Sequence, residues 1–594
     1  MPTGIKSTVI RMVNEMWKYI KRYLPYGILA ALFMVGEVLM DLLQPEIMSK
    51  IVDDGVLGVN SGGVGDMGLI WTLGLKMIGL VLFGGLCGAL NNAFVHMTGQ
   101  NVGNEIRKDA FCKLMTFSFP QVDRFGTGSL VTRVTNDITQ VQNLVSQFVR
   151  GMIRTGMLMF GSIFFLFRLN TRFGLIVLCA LPLIVGCLAF CLANANPLFS
   201  RLQAQLDRIN AIMQEDISGI RIIKACIREG YEKLRFGKAN DDLIRTQLQI
   251  LTILAFMNPI INALIYVVVA LILRAGAVEV AAGVTTPGSI MAAITYTTQL
   301  LNGIMGLTML FQNISRGFAS WKRVKEILHT EPELRDGTFD GQTALRGKIE
   351  FRDVSFSYPG SDRMVLKHIE LTIQPGETVA VMGATGCGKS SLVQLIPRFY
   401  DATEGSVLVD DVDVREYDLQ ALRQKISVAL QKAELFHQTI GQNIAWGKKD
   451  ADGAAIEAAA AIAQAEEFVD QMPDGYETMV AERGASLSGG QKQRVSIARA
   501  VVKQSEILIF DDATSALDLK TEANLYDALK QARPDCTKII VAQRIASVRQ
   551  ADRIVVLENG SVAACGSHEE LLRECPVYRD IYDSQMGKED HHGG

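Results

Sequence analysis

No Cys-x-x-Cys pair and no Cys/His cluster at zinc spacing occurs in this chain. Its ten cysteines (Cys87, Cys112, Cys179, Cys187, Cys191, Cys226, Cys387, Cys536, Cys565 and Cys575) therefore read as reduced thiols, not as a zinc module. Charge is sparse as well: Asp, Glu, Lys and Arg make up 20% of 594 residues, against 49% hydrophobic. That excess of apolar residues excludes an intrinsically disordered chain. Nor does the start of the chain read as a cleavable signal. Lys6, Arg11, Lys18, Lys21 and Arg22 lie among Ile10, Val13, Met16, Trp17 and Ile20, and no A-x-A site follows the first apolar run. An amphipathic helix on the cytoplasmic membrane surface is expected there.

The charges present are unevenly divided. Residues 1–330 hold 30 basic and 20 acidic groups and residues 331–594 hold 29 and 42, so a net charge of -3 hides a basic, apolar half and an acidic, soluble one. A nucleic-acid binder would want the soluble half to be basic. In the first half six stretches are long and apolar enough to cross a bilayer: 23–43, 69–90, 152–169, 173–193, 250–273 and 284–313. The loop between the second and third carries Arg107, Lys108, Lys113, Arg124 and Arg133, and that between the fourth and fifth carries nine Lys or Arg from Arg201 to Arg245. The opposite loops carry only Lys50, then Arg168 with Arg172, then Arg274. An excess of Lys and Arg marks the cytoplasmic side, which predicts that both termini are cytoplasmic. Both basic loops are too long for structureless connections, and Leu130, Val134, Ile138, Val141 and Leu144 recur at helical spacing. They read as helices continuing out of the membrane as stalks.

Ionisable groups inside such spans are costly and invite a functional reading. Glu37 and Asp41 stand four apart, hence on one helix face, with Lys76 in the second span and Arg154 in the third. Two readings stay open: a water-filled substrate cavity lined by these four groups, or acid–base pairs between neighbouring helices. Met34, Met40, Met152, Met157, Met159, Met291, Met305 and Met309 likewise read either as an adaptable binding wall or as ordinary packing.

The second half changes to short β-rich runs after a polar segment, 331–348. A buried strand over 377–382 leads into Gly383-Ala384-Thr385-Gly386-Cys387-Gly388-Lys389-Ser390-Ser391 and then an apolar helix. This is G-x-x-x-x-G-K-S between a strand and a helix, the context a phosphate-binding loop requires. Glycines let backbone N–H groups wrap phosphates, the helix start adds positive dipole, Lys389 reaches the β and γ phosphates, and Ser390 binds Mg2+. A second apolar strand, Ile507 to Phe510, ends in Asp511, a further Mg2+ group. About twenty residues earlier stands Leu487-Ser488-Gly489-Gly490-Gln491.

With that LSGGQ run between the two strand motifs, the chain is identified as resembling the ATP-binding cassette family along nearly its whole length. Six spans followed by one cassette resemble an exporter half-transporter of the type IV fold. The resemblance implies an α-helical membrane domain of six transmembrane helices with long cytoplasmic extensions (1–330), a linker (331–348), an α/β P-loop nucleotide-binding domain (349–586) and a tail (587–594). It implies ATP and Mg2+ as cofactors and a position in the cell membrane of a bacterium. Tyr358 resembles the aromatic that stacks on adenine. Gln431 resembles the loop glutamine that touches Mg2+ and the attacking water, and Glu482 the segment that meets the cytoplasmic helices. Ser515 to Asp518 resembles the loop that crosses to the opposite cassette. Phe117 to Gly128 and Gln214 to Lys224 resemble the coupling-helix regions that dock on the cassettes.

Two positions depart from the family pattern. Asp512 stands where the family has the Glu that acts as general base, which withdraws the carboxylate by roughly 1 Å or more, and a misplacement of 1 Å costs about a hundredfold in rate. Gln543 stands where the family has its switch histidine; Gln donates a hydrogen bond but does not become cationic. In this family ATP lies between the P-loop of one cassette and the LSGGQ of another. An impaired P-loop side with an intact Ser488 to Gln491 therefore predicts a heterodimer: this chain's own ATP site hydrolyses poorly, and its LSGGQ completes the partner's active site. The implied function is ATP-driven export of an amphipathic drug, lipid or peptide by alternating access. A homodimeric exporter with slow ATPase and a regulatory ATP-sensing membrane subunit are the alternatives.

Overall fold

The computed structural model describes residues 15–59, 63–344 and 346–586. Lys6 and Arg11 of the basic N-terminal segment, and the tail 587–594, lie outside the described residues. The chain divides into two compact units, one running to Leu114 and from Leu130 to His329, the other comprising Met115–Ser129 and the chain from Thr330 onward.

The first unit is helical. Its long helices are Leu24–Lys50, Met67–Leu114, Ile138–Leu169, Thr171–Ser218, Glu229–Ala281 and Pro287–His329. Among the described residues, five helical stretches are long and apolar enough to cross a membrane. The sixth, Pro287–His329, is rich in Thr, Gly and Gln and is not among them, so the expected six spans are six long helices of which five carry the hydropathy signal. The helices outrun the apolar stretches read from sequence. At about 1.5 Å per residue, the 48 residues of Met67–Leu114 reach about 70 Å, more than twice a hydrocarbon core of about 30 Å. The start of Pro287–His329 is capped from a distant part of the chain. Asp53, buried in a π-helical turn over Ile51–Val56, accepts from the Gly288 N–H at 2.7 Å, Thr286 Oγ1 at 2.6 Å and Ser49 Oγ at 3.1 Å. The bond from Gly288 satisfies a helix-start N–H that has no partner within the helix. A Cβ on Gly288 would lie 2.4 Å from the Ser49 carbonyl oxygen, so only glycine lets the strands of chain approach this closely.

The second unit holds two sheets among the described residues. One is antiparallel, in the order β2-β1-β4-β5 (β1 Ile349–Phe356, β2 Leu366–Ile373, β4 Glu404–Val409, β5 Val412–Asp413). The other is ordered β10-β9-β3-β8-β7-β6, with β3 Thr378–Gly383, β6 Ile426–Ala429, β7 Ile507–Asp511, β8 Thr537–Val541, β9 Arg553–Glu558 and β10 Ser561–Gly566. Strands β9, β3, β8, β7 and β6 are mutually parallel. Every residue of β7 and β8 is buried, which explains why Ile507–Phe510 and Ile539–Val541 are apolar without alternation.

Residues 115–129, read above as part of the membrane half, pack within the second unit. The short helix Phe119–Phe125 sets the Phe119 ring 4.5 Å from that of Phe399, Asp123 accepts from the Tyr400 hydroxyl at 2.8 Å, and Gln121 Nε2 donates to the Glu331 carbonyl at 2.6 Å. The side chains of Phe119, Gln121 and Asp123 thus find partners within the second unit. The other expected coupling region, Gln214 to Lys224, contains a break at Gly219 followed by the helix Ile220–Ala225.

Candidate functional site

The site lies at the carboxyl ends of the parallel strands, where α/β sheets place their ligands. Four neighbours in the order β3-β8-β7-β6 deliver its parts side by side: the P-loop after β3, Gln543 after β8, Asp511 and Asp512 at the end of β7, and Gln431 after β6. Residues 100 or more apart in sequence thus meet because their strands are adjacent. A cavity of about 1150 Å³ opens over them, lined by Tyr358, Ala384 to Ser391, Gln431, Asp512 and Gln543.

The P-loop glycines are required by backbone shape. Gly388 has φ +103° and Gly383 φ +147°, and a Cβ on Gly383 would lie 2.2 Å from the Leu557 carbonyl oxygen. Lys389 opens the helix Lys389–Leu395 and folds back over the loop, donating to the carbonyls of Gly383 at 2.8 Å and Ala384 at 2.9 Å. An ammonium held among backbone carbonyls is positioned to exchange those partners for phosphate oxygens. Ser390 Oγ donates to Asp511 Oδ1 at 2.7 Å. Burial pushes the Asp511 carboxyl above its usual range, with the Ser390 hydrogen bond opposing and the neighbouring Asp512 charge adding to the rise. A hydroxyl and a buried carboxylate side by side, with a second carboxylate next in sequence, form the hard oxygen donor set that suits Mg2+.

Tyr358 packs edge-on against Phe356 and Tyr400, at 4.9 and 5.2 Å between ring centres, and its hydroxyl lies 2.9 Å from Ser391 Oγ. Tyr400 was missed from sequence, and Asp123 was placed only within the expected coupling region Phe117 to Gly128, with no partner named. The only signal was an aromatic pair, Phe399 and Tyr400, which alone reads as core.

The two family departures are brought together on one atom. Asp512 Oδ2 accepts from Gln543 Nε2 and from Gln431 Nε2, both at 3.1 Å. Asp512 itself has φ +51°, a left-handed conformation that Asp tolerates better than longer side chains.

Ser488 to Gln491 stand apart from this cavity. Ser488 caps the helix Gly489–Val501 in a reciprocal box, its Oγ accepting from Gln491 N at 3.3 Å and its N–H donating to Gln491 Oε1 at 2.9 Å. Gln493 on the same helix grips the loop 515–518, donating to Ser515 Oγ at 3.1 Å and accepting from Ala516 N at 2.8 Å. Glu482 opens a short 3-10 turn, Glu482–Gly484, and is exposed.

Of the four intramembrane charges, three meet. Arg154 pairs with Glu37 and lies 3.7 Å from Asp41. Lys76 does not join them: it is exposed on the helix Met67–Leu114 and makes no ion pair among the described residues. Its position in a span says nothing about which face it occupies.

Two family models match the chain, that of the ABC transporter transmembrane region over residues 28–304 and that of the ABC transporter over residues 366–515. The chain is 38% identical to an uncharacterized ABC transporter ATP-binding protein, YfiB, of Bacillus subtilis, covering 95% of this chain and 98% of that protein. It is 33% identical to the ATP-dependent lipid A-core flippase of Aromatoleum aromaticum, covering 98% of each. Among solved structures, a bacterial Atm1-family ABC exporter with ATP bound superimposes with a TM-score of 0.78 at 27% identity, covering 96% of this chain and 99% of that one. The chain belongs to the ABC transporter family. It is a multi-pass membrane ABC exporter half-transporter whose cassette binds ATP and couples its hydrolysis to transport.

Proposed function

We propose that this chain is the subunit of a heterodimeric exporter that carries the weaker ATP site. The carrying observation is the convergence of Gln431 and Gln543 on Oδ2 of Asp512. The carboxylate placed to orient and deprotonate the attacking water is one methylene short of the family's, and the residue beside it is a neutral amide. Lys389 and the backbone of Gly383 to Gly388 cradle the phosphates, and Tyr358 carries the adenine. Ser390, Asp511 and Gln431 would hold Mg2+, which would neutralise phosphate charge there. Binding is thus complete while the hydrolytic step is slowed. Ser488 to Gln491, with its capping box formed, completes the active site on an unlike half-transporter.

Alternating access follows from ATP closing the cassettes and the Phe119–Phe125 region passing the motion to the spans. With both termini cytoplasmic in the cell membrane of a bacterium, cargo leaves the cytoplasm or inner leaflet. Relatives named as lipid A-core flippases support an amphipathic, lipid-like cargo, with drugs and peptides as other members of that class. Glu37, Asp41 and Arg154 are its candidate contacts; Lys76 is not. The test is ATPase of the purified full chain in lipid nanodiscs without a partner. Slow turnover with retained ATP binding is expected, and brisk turnover would overturn the heterodimer in favour of an active homodimer.

A further inference from the structure

The turn that carries Gln543 is gripped by a residue no motif points to. It joins β8 to the one-turn helix Ile545–Val548, whose N-cap residue Arg544 makes no side-chain cap. The orphan N–H of Ile545 is met from the C-terminal helix Pro576–Met586: Gln585 Oε1 accepts it at 2.8 Å, and Gln585 Nε2 donates to the Gln543 carbonyl at 2.6 Å. One amide thus holds the turn at both ends. On its other side Arg544 donates to the carbonyls of Ser515 at 2.8 Å and Leu517 at 2.9 Å. The supporting helix is anchored: Tyr578 is fully buried with its hydroxyl 2.7 Å from His568 Nδ1, and Val577, Ile581 and Tyr582 pack on the core. Gln585 lies two turns beyond Tyr578, hence on the same face.

We propose that Gln585 is a positioning residue for ATP hydrolysis, holding the turn so that the Gln543 amide stays aimed at Asp512 Oδ2. The proposal rests on Gln543 and Asp512 acting at this chain's ATP site, and not on how fast that site turns over. Brisk turnover of the unmutated chain would remove the impaired-site reading and leave the ratios below readable.

The experiment is single-turnover hydrolysis of ATP by the assembled transporter, isolated through a tag on this chain and placed in lipid nanodiscs with hydrolysis at any unlike partner's own P-loop disabled, comparing the native chain with Gln585→Ala, Gln543→Ala and the double substitution. Since a displacement of 1 Å costs about a hundredfold, a loosened turn is expected to lower the rate about tenfold, with ATP affinity unchanged. In the Gln543→Ala background the second substitution is expected to add nothing, because residues acting through one contact are not additive. Equal fractional losses in both backgrounds, a native rate in either single variant, or a loss confined to ATP affinity would overturn the proposal. Gln585→Glu keeps the acceptor for Ile545 but sets an acceptor against the Gln543 carbonyl. Positioning predicts that it loses rate as Ala does, whereas simple helix capping predicts the native rate and would overturn the proposal even if the Ala variant does not fold.

Discussion

Replacing Asp512 by Glu restores the methylene that separates this site from the family pattern, and the structure sets the size of the effect. The added carbon advances the carboxylate by roughly 1 Å or more, and recovering a displacement of 1 Å gains about a hundredfold in rate, equal to about 2.7 kcal/mol. Against this stands the backbone. Asp512 has φ +51°, and holding a longer side chain in that left-handed region costs about 1 kcal/mol. Gln431 and Gln543, each 3.1 Å from Oδ2, are long enough to follow the moved oxygen. The net of about 1.7 kcal/mol corresponds to a rise of about 18-fold. Single-turnover hydrolysis by the assembled transporter in nanodiscs, with hydrolysis at any unlike partner's own P-loop disabled and ATP binding measured separately, reads it directly. Asp512→Glu is expected to raise the rate with unchanged affinity, Gln543→His to raise it further in that background, and Asp512→Asn to abolish the residual turnover. An unchanged rate in Asp512→Glu, or a native rate in Asp512→Asn, would refute the assignment of Asp512 as the limiting base.

Tyr400→Phe removes the donor to Asp123 and leaves the ring packing intact, so ATP binding should be unchanged while the stimulation of ATPase by added amphipathic compounds in proteoliposomes falls. Arg154→Ala leaves Glu37 and Asp41 without their cation. A fully buried pair broken this way costs 3–5 kcal/mol, but Arg154 and Asp41 are 35% and 36% exposed, so thermal unfolding should report about 2 kcal/mol. The triple change Glu37→Gln, Asp41→Asn, Arg154→Met should be closer to neutral. His568 has its pKa lowered, first by burial and then by the Arg549 charge. Its folded value lies below the unfolded one, so the stability it contributes is present above about pH 6.5 and is lost as pH falls through the folded value. Thermal unfolding of the native chain should weaken over that window, and His568→Gln should flatten the profile.

The P-loop, the strand ending in Asp511 and the LSGGQ run were legible because each is a local pattern whose chemistry depends on a few consecutive residues. The spans were legible from hydropathy, but helix lengths were not, since polar stalk residues continue a helix without any apolar signal. Contacts at long separation left no mark. The resemblance led us to expect 117–128 to dock on the cassette, but it named no partner: Asp123 meets Tyr400 across 277 residues. Asp53 caps a helix 235 residues away, and Gln585 reaches back 42 residues to Gln543 from a helix with no motif. Lys76 shows the limit of counting charges in a span: without knowledge of which faces meet, four groups were placed together where only three are.

The central claim, a weak ATP site within an unlike pair, is tested most directly by the composition of the assembled transporter. Native mass spectrometry of the complex extracted from the producing organism's own membranes, with a tag on this chain alone, is predicted to give one tagged chain bound to one different half-transporter. A complex containing two copies of this chain would contradict it.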